Sequence, residues 1–252
     1  MSEDEQLRKR FLELADRAYT KCQYQFTGFM TLAETSVFLQ SAREFPHVPY
    51  TLFGGIEDCE RQMARLGSEE LMGYEEPFPI CCIKAEPGHQ KFADQLSHRD
   101  VLGALMNLGV DRSTIGDILL CDNVAYIFCT EKMADYLAGE LTQIRHTPVR
   151  CCVTENIPEL SAFRKIQEVR VQVNSVRLDA VISKVYNLSR GDSLELFRAK
   201  RVFVDGKLCE NNSYGLKEGE IVSARGFGKF KYLGQDSVSK KGKINVSVGK
   251  YV

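Results

Sequence analysis

Between residues 177 and 207 the chain places Arg177, Lys184, Arg190, Arg198, Lys200, Arg201 and Lys207. A second basic run, Lys229, Lys231, Lys240, Lys241 and Lys243, follows near the end, with Phe227, Phe230 and Tyr232 interleaved. Guanidinium forks grip phosphate oxygens two at a time, and ammonium groups add point charges. Aromatic rings among such cations stack on nucleobases. That chemistry binds a polyanion and breaks no bond. Catalytic signatures are missing: the chain has no Gly-x-Ser-x-Gly, no P-loop and no His-Glu-x-x-His. His98 near Asp100 is the strongest acid–base candidate, but helix positions two apart do not share a face. Asp117, directly after Gly116, reads as turn chemistry. The site residues expected from sequence are therefore the basic ones, with no catalytic residue.

Metal and cofactor chemistry is not expected either. The nine cysteines include the adjacent pairs Cys81-Cys82 and Cys151-Cys152, and no C-x-x-C occurs. Neighbours in a strand point to opposite faces, so neither pair can easily share one metal ion. Buried, reduced thiols are the expected state, in a reducing cytoplasm. The acidic start, Met1-Ser2-Glu3-Asp4-Glu5, is unlike a signal peptide, and no apolar run approaches the ~20 residues that span a bilayer. No membrane partner is expected.

The net charge of -1 conceals a split. Residues 1–165 carry 17 basic against 25 acidic side chains, and residues 166–252 carry 16 against 9. A basic end behind an acidic front suggests that the end meets nucleic acid.

Periodicity supplies the elements that would position these groups. Residues 1–75 read as a small α-rich domain. Leu7, Phe11, Leu14, Ala15 and Ala18 recur at helical spacing, and Thr31 with Glu34 forms a capping box. A strand at Tyr50–Phe53 and a helix around Cys59–Leu66 follow. Residues 76–160 read β-α-β-β-α-β: Pro79–Lys84, His98–Leu108, Ile118–Leu120, Val124–Cys129, Glu131–Ile144 and Pro148–Val153. This is the ferredoxin-like split unit found in many RNA-recognition (RRM-like) modules. Tyr126 and Phe128 share the strand face that such modules use for stacking, but the basic Gly-aromatic signature is missing. Core or interdomain packing is the expected role of that pair. Residues 166–252 form the last domain. Leu178, Ile182 and Val185 make one helical stripe, and Ser189 caps a second helix with Leu194, Leu196 and Phe197 inward. Short strands follow around the Asp205-Gly206 hairpin turn, then a basic hairpin. The fold class is α+β.

Several runs here resemble known families. Arg177-Leu178-Asp179, Ser189-Arg190, Val202-Phe203-Val204-Asp205-Gly206-Lys207 and Leu216-Lys217-Glu218-Gly219-Glu220-Ile221 resemble the S4 RNA-binding domain. Gly54-Gly55-Ile56-Glu57-Asp58-Cys59-Glu60-Arg61, the run His98–Gly109, Arg112 and Ile115-Gly116-Asp117-Ile118 resemble the YlmH proteins of bacteria. So do Gly226-Phe227-Gly228-Lys229-Phe230 and Lys240-Lys241-Gly242-Lys243. The resemblance implies an S4 domain at the end and binding to ribosomal RNA of the large subunit, with tRNA still attached, in rescue or quality control of stalled translation. A monomer is expected. Arg-Leu-Asp also occurs in pseudouridine synthases, where the Asp is catalytic. Too few residues follow Asp179 for their catalytic domain, so Asp179 is expected to be a helix-start residue. The alternatives are an RNA-modifying enzyme with a middle-domain site, or an interaction scaffold in cell division.

Overall fold

Ser2, Thr31 and Ser97 each precede a helix and exchange hydrogen bonds with an acidic residue three positions on, Glu5, Glu34 and Asp100 respectively. These are full capping boxes, which satisfy backbone donors that a helix start otherwise leaves open. Replacing Ser97 with alanine should therefore cost about 1 kcal/mol, read as a shifted urea midpoint. The computed structural model describes residues 2–45, 47–57, 59–89, 93–159, 166–239 and 242–251. The chain divides into two units, Met1–Phe163 and Arg164–Val252.

In the first unit, α1 (Glu3–Lys21) packs on α2 (Leu32–Ser41) through Phe11, Ala15, Ala18, Val37 and Phe38. The Phe11 and Phe38 rings meet edge to face at 5.2 Å. Strands β1 (Gln25–Phe26), β2 (Tyr50–Phe53) and β3 (Met63–Leu66) form a sheet ordered β1-β3-β2. The segment is thus less purely helical than its sequence suggests. The helix expected around Cys59–Leu66 is in fact the central strand of this sheet. Met63, Ala64 and Leu66 are all buried there between two partner strands, Ala64 and Leu66 against the α1–α2 layer and Met63 on the opposite face. Tertiary pairing overrides the helical preference of Met, Ala and Leu. A single turn, α3 (Glu69–Met72), leads onward.

Next come β4 (Ile80–Pro87), α4 (His98–Asn107), β5 (Ile115–Cys121), β6 (Val124–Thr130), α5 (Glu131–Glu140), β7 (Gln143–Ile144) and β8 (Thr147–Val153). The antiparallel order β5-β6-β4-β8-β7 is the ferredoxin-like arrangement with one short strand added at the edge. Helix α5 ends earlier than expected. Its continuation turns through Leu141, and Ile144 is buried as part of a hairpin with Thr147. Val101 and Leu105 of α4 and Ala134 and Leu137 of α5 cover one sheet face, against Ile83, Ala85, Ile115, Ala125 and Ile127. The other face carries Cys82, Leu119, Tyr126 and Phe128, which pack on Phe29 and Met63 of the first segment. With both faces covered, β6 reads as a continuous apolar run.

The second unit begins with β9 (Ile166–Val173), absent from the sequence reading although Val169, Val171 and Val173 alternate along it. Two helices follow, α6 (Leu178–Val185) and α7 (Arg190–Arg198). The strands β10 (Val202–Val204), β11 (Lys207–Leu208), β12 (Ile221–Ala224), β13 (Gly228–Val238) and β14 (Ile244–Tyr251) complete a sheet ordered β11-β10-β12-β13-β14-β9. Leu178, Val181, Ile182 and Val185 of α6 and Leu196 and Phe197 of α7 share a core with Val202, Val222, Phe230, Tyr232, Val246 and Val248. Leu194 is only half-buried. The small Ser193 takes the buried position instead. Phe230 and Tyr232 are also buried, so the aromatics expected among the terminal lysines are mostly core. Strand alternation sends them inward and Lys229 and Lys231 to the other face.

Candidate nucleic-acid interface

A phosphate-gripping surface needs its cations held still, and local hydrogen bonds fix the α6–α7 pair. The first amides of α6 are satisfied by distant carbonyls: Leu178 N–H donates to Tyr214 O at 2.9 Å and Asp179 N–H to Asn212 O at 3.1 Å. Ser193 Oγ donates to Asp179 O at 2.8 Å, tying α7 to α6. The connection turns at Asn187, with a φ of 51°, and Ser183 Oγ donates to Leu188 O at 2.7 Å. Ser189 Oγ then accepts from Asp192 N–H and caps α7.

Arg177, Lys184, Arg190 and Lys243 line one cavity of about 510 Å³. Its walls are the end of β9, Asn174 and Ser175, the Ala180–Ser183–Lys184 face of α6, and the start of α7. Lys243 arrives because Ile244 pairs with Val173, which carries the basic hairpin to the foot of α6. Arg177 makes a bidentate pair with buried Asp179, Nε to Oδ1 at 3.1 Å and Nη2 to Oδ2 at 3.0 Å. Asp179 lies in the first turn of α6. Its carboxylate orients Arg177, whose remaining N–H groups stay available. Among the described residues no carboxylate pairs with Lys184, Arg190 or Lys243. The cavity is therefore electropositive.

The other candidate cations lie elsewhere. Arg198 and Lys200 line a separate groove, where Arg198 meets Glu195 at 3.4 Å and Lys200 meets Glu210 at 2.7 Å. These exposed pairs are weak and open to competition by a stronger anion. Arg201 is exposed and donates to Arg225 O at 2.6 Å. Lys207 is half-buried on β11, and Lys229 and Lys231 are half-buried on β13. Lys240 and Lys241 lie outside the described residues. Two further cations sit against rings: Lys250, one of the C-terminal lysines that the sequence places around the basic hairpin, and Arg225, at the end of an expected strand. The Arg225 guanidinium lies 4.3 Å from the Phe203 ring centroid, and Lys250 Nζ lies 5.2 Å from that of Tyr186. Burial pushes the Tyr186 hydroxyl pKa up to about 12, so it stays protonated.

The middle module offers no stacking surface on its sheet, since Tyr126 and Phe128 are sealed in. Asp117 is not a turn residue. It stands in β5 with its carboxylate buried, accepting from the backbone N–H groups of Glu60 and Arg61 at 2.8 and 3.0 Å. The Arg61 guanidinium in turn donates to the carbonyls of Phe29, Arg112 and Ile115. Burial, with the nearby Arg112 charge, lowers the Arg61 pKa to about 10, so it remains charged at neutral pH. The tight runs around it have a steric cause. A Cβ on Gly55, where φ is +108°, would lie 2.2 Å from the Phe128 ring, and one on Gly116 would lie 2.7 Å from that of Phe29. Asp100 is engaged by Ser97.

Among the described residues no group of three or more His, Cys, Asp or Glu is placed to hold a metal ion. Nor is any helix long and apolar enough to cross a membrane. The cysteines are all free thiols, but Cys22 and Cys152 are exposed, contrary to the expectation of uniform burial. Cys82 faces the first segment while Cys81 faces α4 and α5, as strand alternation requires.

Fold and site together define a class: an α+β protein joining a ferredoxin-like module to a helix pair on a sheet with a cation-lined cavity. Residues 75–157 match the family described as "Putative RNA-binding domain in YlmH". The chain is 30% identical over 231 residues to the ribosome-associated protein quality control protein P2 of Bacillus subtilis (strain 168), covering 88% of this chain and 86% of that protein. It belongs to the YlmH family. A solved structure, the cell division protein ylmH from Streptococcus pneumoniae, is 20% identical, with a TM-score of 0.49 over 61% of this chain and 92% of that one.

Proposed function

We propose that this protein is a non-catalytic RNA-binding factor of the ribosome, acting on the large subunit while it still carries peptidyl-tRNA, in quality control of stalled translation. The observation that carries the reading is the convergence of Arg177, Lys184, Arg190 and Lys243 on one cavity beside a rigid helix pair. That arrangement suits an S4-type grip on the RNA backbone, with affinity from phosphates and selectivity from RNA shape. Arg198, Lys200, Arg201, Lys207, Lys229 and Lys231 would extend the contact, with Lys240 and Lys241 assisting. The relative in Bacillus subtilis is named for ribosome-associated quality control, which agrees.

An RNA-modifying activity centred on His98 or Asp117 has less behind it. The Asp117 carboxylate is spent on two buried backbone amides, and His98 is the first residue of a capped helix. No observation in the fold favours a cell-division scaffold over an RNA partner.

The test is co-sedimentation with purified large ribosomal subunits. The double variant Lys184→Ala plus Arg190→Ala should bind at least tenfold more weakly. Its plot of log affinity against log salt should be shallower by about 1–2, because each lost phosphate contact removes roughly 0.9 from the slope. Unchanged binding and slope would defeat the proposal.

A further inference from the structure

Apart from the cation-lined cavity, the turn between β12 and β13 presents a phenylalanine among cations. Phe227 is 41% exposed, although Ala224 before it and Phe230 after it are fully buried. The turn that carries it is tied down. Phe227 N–H donates to Ala224 O at 2.9 Å, and Arg225 N–H donates to Arg201 O at 2.9 Å. Arg201 Nη2 returns the bond to Arg225 O at 2.6 Å. Gly226 has a φ of +92°, a backbone conformation that strains any residue with a Cβ, so the turn favours glycine.

The surroundings of the ring are aromatic and positive. The Tyr186 ring lies 5.8 Å away at a 47° tilt, with Lys250 Nζ near its face. Arg225 is held over Phe203. Among the described residues none of Arg201, Arg225 and Lys250 forms an ion pair with a carboxylate. Tyr186 directly follows α6, the helix that brings Lys184 to the phosphate cavity. A flat apolar ring with flanking cations matches the alternation of base and phosphate along an unpaired strand. Within an RNA duplex the bases already stack on one another, so a free ring face selects a nucleotide that has left the stack.

We propose that Phe227 is a stacking platform for one unpaired RNA base, with Arg201, Arg225 and Lys250 holding the phosphates beside it. This rests on the RNA-binding reading above and adds to it a preference for an unpaired nucleotide next to the gripped helix. Phosphate neutralisation alone would not discriminate between loop and duplex. A stacking ring does.

The experiment measures full-length protein binding, at fixed salt, to two RNAs: a stem closed by an unpaired adenosine loop, and the same stem as a blunt duplex. Wild type should favour the stem–loop. Phe227→Ala should lose about tenfold on the stem–loop alone, with duplex affinity and salt slope unchanged. Phe227→Leu, apolar but without a π face, should behave like the alanine variant, and Phe227→Trp should retain the preference. An alanine variant equal to wild type on both RNAs would overturn the proposal, as would equal weakening on both or full retention by leucine. The last would mark Phe227 as a plain apolar contact, such as one for a protein. Lys184→Ala plus Arg190→Ala should instead lose duplex binding, so failure of the phosphate reading and failure of the stacking reading give different results. If wild type bound neither RNA, both would fall.

Discussion

Arg61→Met is expected to destabilise the first unit by about 3–5 kcal/mol, the range for stripping one partner from a buried charged network. The Arg61 side chain donates to three carbonyls, of Phe29, Arg112 and Ile115, at 2.8 to 3.0 Å. They belong to two chain segments, around Phe29 and around Arg112–Ile115, which also meet where Phe29 N–H donates to Ser113 O at 2.7 Å. Methionine would fill much of the volume and take the guanidinium donor from Phe29 O, while Ile115 O keeps Arg112 Nη1 at 2.7 Å and Arg112 O keeps the Ile115 N–H. Domains of this size are stable by only about 5–15 kcal/mol, so much of the margin would disappear. Hydrogen exchange read by mass spectrometry should show early loss of protection around residues 27–31 and 112–118, with the urea midpoint lowered to match. Arg61→Lys should be intermediate, because an ammonium lacks the planar fork that spans separated acceptors. A loss below about 1 kcal/mol would show that water replaces the guanidinium at little cost.

Phe230→Ala should have a comparable effect on the other unit. Phe230 is fully buried, pairs across β14 at Lys250, and meets the Tyr186 ring at 6.1 Å. Truncating a buried phenylalanine costs about 3–5 kcal/mol, part from lost transfer energy and part from the cavity. The unit is small, so that loss should leave residues 166–251 largely unprotected against exchange while residues 2–159 keep theirs. RNA affinity should fall with it. Phe227→Ala, three positions earlier on an exposed turn, should leave the melting curve where it was. If Phe230→Ala melted both units together, the division of the chain into separately stable bodies would be wrong.

Much of the secondary structure could be read directly, because the decisive cues were local. Thr31-x-x-Glu34 gave a helix start at the right residue. Asp205-Gly206 gave a tight hairpin, where both residues adopt positive φ. The misreadings share a cause: partners remote in sequence. Met63–Leu66 has helix-favouring residues and becomes a strand because β1 and β2 flank it. Asp117 follows a glycine and looks like a turn, yet its partners are amides 56 and 57 positions away. The valines at 169, 171 and 173 did advertise β9, by alternation alone. For the candidate site, the residue types were visible and their grouping was not. Lys243 and Arg177 lie far apart in the chain and share a cavity only through the β9–β14 register. The same list also held Arg198 and Lys200, which the fold sends to a different groove beside Glu210.

The sandwiching of the central sheet bears on how the chain can be divided. A fragment beginning near residue 76 would strip the cover from Leu119, Tyr126 and Phe128 and present their greasy side to water, inviting clumping rather than a usable module. Anyone wishing to study the halves in isolation should cut between residues 159 and 166, and keep everything upstream in one piece. By the same logic, natural variation that loosens the leading segment should first appear as lowered solubility.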